Sequence, residues 1–387
     1  MSFAHACVDV YQGAVAALVP YFVAERDYTY AAASGVVLAA SLLSSLVQPL
    51  FGVLTDRRAM PWLLPLSVFA SGAGVALSGV GDAYAWTLAA VAVSGVGVAA
   101  YHPEAARAAR AAAQGSQTAM GWFSLGGNIG FALAPLLVSA VVATGSLHAT
   151  PLLMAPALIG TVLCLATRGA PVETASAAEG AGRDDWPSFL RLSGAIVCRS
   201  IVFVGLSAFI SLYVRERTGG GAVAGTAALF VLYAGGALGT VAGGRLADRY
   251  GRTAVLRRSY ALTVVAVAGL LLAPGPLIYP FVALVSAGLY VPFALHITLG
   301  QDCLPRHMGT ASGVTLGLAV SVGGLSAPAL GALADATTLR TALVPLVALP
   351  AVGWLLVRTL RDPLLTRPGP AAAEGARTDA GRDPSGS

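Results

Sequence analysis

His5, Asp9 and Gln12 are spaced i, i+4 and i+7 in the run "SFAHACVDVYQGAVAALVPYF". On a helix they share one face. The rest of the run is apolar, so Asp9 stands where a charge is costly unless it faces a cavity or a partner. There it can bind and release protons or hold a substrate; the other reading is a structural hydrogen bond to a neighbouring helix. Arg199 is the matching cation, isolated in "LSGAIVCRSIVFVGLSAFISLYV". A guanidinium stays charged and grips a carboxylate or phosphonate through two parallel hydrogen bonds. Arg199 is expected to face a cavity opposite Asp9. It would pair with Asp9 when the site is empty and with an anionic substrate when Asp9 is protonated, so that proton and substrate compete through one charge pair.

A second cluster is "YHPEAARAARAA", which holds His102, Pro103, Glu104, Arg107 and Arg110. His102 reads as a cavity or proton-relay residue. Its counterpart is expected at His296, 194 positions later. Glu104 reads either as part of that relay or as the partner of Arg57 or Arg58. Asn128 and Gln48 are further polar groups in apolar runs, placed to line a cavity or to bond between helices.

The elements that carry these residues follow from composition. Hydrophobic residues make up 56% of the 387 and charged residues 11%, against about 25% charged in a soluble domain. The bilayer is the natural solvent, and a spanning helix needs about 20 mainly apolar residues. Twelve runs qualify: 3–24, 31–54, 62–80, 84–104, 115–143, 150–167, 188–213, 223–244, 254–273, 277–301, 309–333 and 340–358. They are too long and too uniformly apolar for the strands of a membrane barrel. The expected fold is therefore all-α and integral to the membrane.

All 23 basic residues are arginine, which with the heavy Ala and Gly usage suggests a GC-rich bacterial genome. If the N-terminus is cytoplasmic, 18 arginines fall in inside segments and 4 outside. The positive-inside rule then places both termini in the cytoplasm, in a bacterial inner membrane. The net charge of +5 is no nucleic-acid signal, because it is spread over short loops. Cys7, Cys164, Cys198 and Cys303 lie in or at the ends of apolar runs, and no Cys/His spacing suggests a metal. The first residues lack a basic leader, so the first run reads as a retained span.

Residues 168–187 are rich in Ala, Gly and Glu without a periodic apolar face, and read as a flexible cytoplasmic linker. They divide the chain into a six-helix bundle at 1–167 and another at 188–361, with a disordered tail at 362–387. "GGRLADRYGR" at 243–252 follows the second span of the second half. A weaker copy, "GVLTDRRAMPW", begins at Gly52, 192 residues before Gly244, at the same place in the first half. Such a pair reads as a duplicated unit, an arrangement found in transporters that hold substrate between two halves. Gly52, Asp56, Arg57 and Arg58, with Gly244, Asp248, Arg249, Gly251 and Arg252, read as a charged latch between conformations.

These hinges resemble the signature of the major facilitator superfamily, most closely at Gly244, Leu246, Asp248, Arg249, Gly251 and Arg252. The first copy keeps Gly52, Leu54, Asp56 and Arg57 and then departs. "HACVDVYQGAVAALVPYF", "MPWLLPLSVFASGAG", "YHPEAARAARAA" and "GGNIGFALAPLL" are similar to the fosmidomycin resistance group of that superfamily. The resemblance implies two pseudo-symmetric six-helix bundles and efflux of a small drug in exchange for protons. It also favours Glu104 as the latch partner. Gly126, Gly127, Gly130 and Pro135 of the fifth span resemble the superfamily's antiporter signature, with Ala134 in place of a usual glycine. Gly323, Gly324 and Pro328 are their counterparts in the eleventh span, and small residues there let helices approach closely.

The loops are too short for a catalytic domain, and no GxxxxGK[ST] stretch cradles a nucleotide. An enzyme is not expected, nor a cofactor or metal. The expected partners are a small-molecule substrate, protons and lipid, with the chain a monomer. Uptake of an organic anion by the same fold, or a sensor that binds without transport, are the alternative readings.

Overall fold

The computed structural model describes residues 1–57, 60–113, 117–166 and 184–360. Among them every regular element is a helix. In hydrocarbon no water satisfies a backbone N–H or C=O, so a chain of this composition closes its hydrogen bonds within each segment. The first half contains α1 (Ser2–Arg26), α2 (Tyr30–Arg57), α3 (Leu63–Ser78), α4 (Tyr84–Ala113), α5 (Gln117–Gly145) and α6 (Met154–Ala166). The second contains α7 (Trp186–Thr218), α8 (Gly221–Tyr250), α9 (Arg252–Leu272), α10 (Ile278–Tyr290), α11 (Phe293–Cys303), α12 (Met308–Ala336), α13 (Leu339–Leu343) and α14 (Pro345–Val357). Each of the twelve expected spans coincides with a helix or a consecutive pair. Eight segments of the described residues are long and apolar enough to cross a membrane by themselves. Large apolar side chains such as Val223, Leu238 and Val265 point outward, as lipid-facing residues do.

Three local differences from the sequence reading have identifiable causes. The tenth span breaks between Tyr290 and Phe293, because Pro292 supplies no N–H and cannot continue the ladder. The twelfth divides in the same way at Pro345. The helix after the linker begins at Trp186, where the Asp185 side chain accepts the Ser188 N–H and Pro187 fits the first turn. Residues 167–183 and 361–387 lie outside the described residues, as do most of the linker and the whole tail.

The packing repeats. In the first half α1 lies along α5, α3 along α4 and α6, and α2 along α4. In the second, α7 lies along α12, α9 along α10 and α14, and α8 along α10. Glycine permits the first of these contacts. A Cβ on Gly126 would strike the Ser2 carbonyl, and one on Gly130 the Ala6 carbonyl. On the other side, a Cβ on Gly323 would strike the Ser200 carbonyl, and the Gly323 N–H donates to Ser200 Oγ at 3.0 Å. Pro135 and Pro328 sit inside α5 and α12 at matching points. The halves meet chiefly through α2 against α12 and α5 against α8. A two-fold relation between the halves exchanges these two seams.

At one end the α2–α12 seam is closed by a carboxylate. Asp335 accepts from the backbone N–H of Tyr30 at 2.7 Å and of Ala31 at 2.9 Å. It caps the N-terminus of a helix in the other half, complementing both the open N–H groups and the helix dipole. Gly331, one turn earlier, leaves room for Ser34 and the Tyr30 carbonyl. A lost cap costs about 1 kcal/mol, a shift of roughly fivefold in a two-state equilibrium. Asp335→Ala is therefore expected to open this end more often. Alkylation of Ser34→Cys by an impermeant maleimide, in a background without the native cysteines, should quicken about fivefold. An unchanged rate would mean that the cap does not hold the seam.

Candidate functional site

Between the halves lies a cavity of about 350 Å³, lined by α1, α2, α4 and α5 on one side and by α7, α8, α10 and α11 on the other. On the first wall His5, Asp9 and Gln12 face it together, as their spacing requires, joined by Gln48, His102 and Asn128. On the second wall stands Arg199, among Phe203, Tyr233, Tyr290 and Phe293.

The charged cluster of the first wall comes from two helices 93 positions apart. Asp9 Oδ2 lies 3.3 Å from His5 Nε2, and Asp9 Oδ1 lies 3.1 Å from His102 Nε2. Each ring is fixed by its other nitrogen. His5 Nδ1 is 2.8 Å from the Phe123 carbonyl, and His102 Nδ1 is 2.8 Å from the Val98 carbonyl. A carbonyl only accepts, so both Nδ1 atoms carry hydrogen and both Nε2 atoms turn to Asp9. The His5 ring also stacks on Phe123, with centroids 4.2 Å apart. Room for the cluster comes from Gly127, where a Cβ would overlap Asp9 Oδ2 and crowd the His5 ring. The arrangement can take up protons at the two Nε2 atoms and the carboxylate.

Arg199 is held differently. Its Nε donates to the Leu289 carbonyl at 2.6 Å, and its guanidinium lies over Phe203 at 5.8 Å and Phe293 at 5.0 Å. Leu289 sits one turn before Phe293, and the break at Pro292 ends the ladder that would otherwise engage its carbonyl. The interruption of the tenth span thus supplies the acceptor that aims the arginine. Arg199 is 4% exposed, and among the described residues it meets no carboxylate. This corrects the expected Asp9–Arg199 pair. Both residues face one cavity, but the two imidazoles already surround Asp9. Among the described residues the guanidinium charge meets one carbonyl and two ring faces, an environment that an anion could complement.

Other expected residues are placed as follows. His296 is buried outside the cavity wall, with Nε2 3.1 Å from the hydroxyl of Tyr260, which donates to the Ala195 carbonyl. It does not match His102 in position on the cavity. Glu104 is buried and engaged but likewise lies off the wall. Gly324 faces Ser41 across the α2–α12 seam. In the second hinge Gly244, Asp248 and Arg249 are exposed, and Arg249 lies over the Tyr250 ring. Gly251 has φ +81°, which only glycine adopts without strain, and it turns the chain from α8 into α9. Arg252 pairs with Asp302 of α11 at 2.6 Å, a partner the sequence did not suggest. In the first hinge Arg58 lies outside the described residues; Gly52, Asp56 and Arg57 belong to the last turns of α2, and their surroundings are not described. The aromatic wall was also missed. Phe131 packs edge-on against Tyr233 across the halves, with centroids 4.4 Å apart. In sequence such rings look no different from lipid-facing ones.

Two related helical bundles around a largely apolar cavity that carries a few charged and polar side chains make the architecture of a membrane transporter rather than an enzyme. The sequence pattern of the Major Facilitator Superfamily matches residues 1–328. The chain belongs to that family. It is 28% identical over 378 residues to the Fosmidomycin resistance protein of Escherichia coli, covering 92% of this chain and 91% of that protein. It is also 28% identical over 365 residues to the uncharacterized MFS-type transporter YfnC of Bacillus subtilis, covering 91% and 89%. Among solved structures, a bacterial homolog of the human lysosomal transporter Spinster, inward-facing and occupied, superposes with a TM-score of 0.79 at 17% identity, over 95% of this chain and 97% of that one. The nucleoside transporter NupG superposes with a TM-score of 0.72 at 12% identity, over 93% and 98%. These two likenesses concern the fold.

Proposed function

We propose that this chain exports a small anionic or drug-like compound in exchange for protons, by alternating access of the cavity, with both termini in the cytoplasm. One observation carries the reading: the His5–Asp9–His102 cluster and an arginine that meets no carboxylate among the described residues stand on opposite walls of a single cavity between the halves. Protonation of the Asp9 cluster adds positive charge to that cavity, and binding of an anion to Arg199 removes it. A proton and an anion in one cavity attract, so exchange requires that the bound compound also occupy the space beside Asp9 and alternate there with the proton. The arginine bias of the loops supports the orientation. Similarity to a protein named for fosmidomycin resistance supports the outward direction and supplies a first probe.

The test uses the purified chain in liposomes with a pH-sensitive dye inside and fosmidomycin, then a small panel of anionic compounds, added outside. Exchange is expected: ligand entering should drive protons out. Protons entering with ligand would replace export by uptake. Ligand binding without movement of either would make the chain a sensor.

A further inference from the structure

We propose that His5, Asp9 and His102 form a binding site for a divalent transition-metal ion of the zinc class, with an open coordination position toward the cavity. Three candidate ligand atoms, two imidazole nitrogens and one carboxylate oxygen, all lie within 4.8 Å of one another. His102 Nε2 lies 3.1 Å from Asp9 Oδ1, and His5 Nε2 lies 3.3 Å from Asp9 Oδ2. Tetrahedral zinc with ligands at about 2.0–2.2 Å sets its ligand atoms about 3.3–3.6 Å apart. A single ion therefore fits once the side chains close on it by modest rotations.

The ring orientations favour a metal. Both Nδ1 atoms donate to backbone carbonyls. Metal-binding histidines are held by this kind of outer bond, which fixes the tautomer and turns the other nitrogen to the ion. With neutral rings, two nitrogen lone pairs and a carboxylate converge with no donor among them. Asp9 is 8% exposed, and its Oδ1 has no hydrogen-bond partner although a ring nitrogen lies 3.1 Å away. A neutral ring whose hydrogen is on Nδ1 brings no N–H to that oxygen, so lone pairs face each other until a proton or a cation stands between them.

The donor set selects the metal. Two imidazoles and one carboxylate suit zinc and its neighbours, whereas calcium and magnesium require oxygen donors and copper(I) prefers sulfur. Three protein ligands leave a fourth position for water or an oxygen of a bound ligand. The inference concerns binding at these three residues and does not depend on the direction of transport. Protons and metal compete for the same atoms.

The full chain, purified in detergent without a polyhistidine tag and stripped of metal, is titrated with Co(II). Visible d–d bands are expected to saturate at one ion per chain and to vanish on addition of Zn(II). His5→Ala, Asp9→Asn and His102→Ala should each weaken binding by at least about tenfold. His148→Ala and His307→Ala, at two exposed positions outside the cavity, should leave it unchanged. His102→Gln replaces His102→Ala if the latter is not monodisperse. Absence of saturable binding by the wild type would overturn the proposal. So would binding that survives both His102 variants, or binding lost in either exposed-histidine variant. No gradient or substrate is involved, so a failed transport reading cannot be mistaken for a failed metal site.

Discussion

Asp9→Asn is expected to leave the protein folded and inserted while reducing ligand-driven proton movement in liposomes to that of empty vesicles. The amide keeps the size of the carboxylate, which matters because Gly127 leaves no space beyond it. It removes the only acid of the cluster. The two imidazoles would still contact it but would lose the negative charge that makes their protonation tolerable in a dry cavity. The substitution acts on proton coupling rather than on packing, since burying a neutral amide beside two ring nitrogens costs less than burying a charge. Size-exclusion behaviour in detergent should match the wild type, which separates loss of coupling from loss of fold. Retained proton movement at wild-type rate would remove Asp9 from the proton path.

Arg199→Ala is expected to act on the ligand instead. The ligand concentration for half-maximal proton movement should rise by about 10- to 100-fold for an anionic compound, the equivalent of losing a charged hydrogen bond worth about 1.5–3 kcal/mol. An uncharged compound should be affected far less. Arg199→Lys should recover only part of the loss. An ammonium keeps the charge but lacks the flat fork that lies between Phe203 and Phe293 while reaching the Leu289 carbonyl. Equal half-maximal concentrations for wild type and Arg199→Ala with every anionic compound would exclude the arginine as the anion-binding group.

The architecture was legible because the bilayer imposes it. Apolar runs of sufficient length had to become helices, and the charged hinges at Gly52 and Gly244 marked the duplication. The helix break at Pro292 was legible in principle from one residue, yet a hydropathy run passes over it. The site was legible only where its residues share a helix. His5, Asp9 and Gln12 announced themselves by spacing. His102 could be named as a polar residue in a span, but its contact with Asp9 depends on how α4 packs beside α1, which no local pattern encodes. The expected Asp9–Arg199 pair failed for a related reason. Two opposite charges in hydrocarbon look like partners when only the sequence is read, whereas the packing sets two imidazoles against Asp9 and a carbonyl and ring faces against Arg199. His296 shows the limit of duplication: the halves repeat their backbone packing, but equivalent positions have taken up different side-chain roles.

The bond between Arg199 and the Leu289 carbonyl ties a charge to a gap in a helix. An anion that draws the guanidinium away frees that carbonyl, while Pro292 keeps the two helices from joining. By thermodynamic reciprocity, whatever the proposed anion does to the backbone at this break, the break does to its binding, in equal measure. A substitution at the break, far from any ligand contact of its own, would then be felt as a change in the hold on the anion.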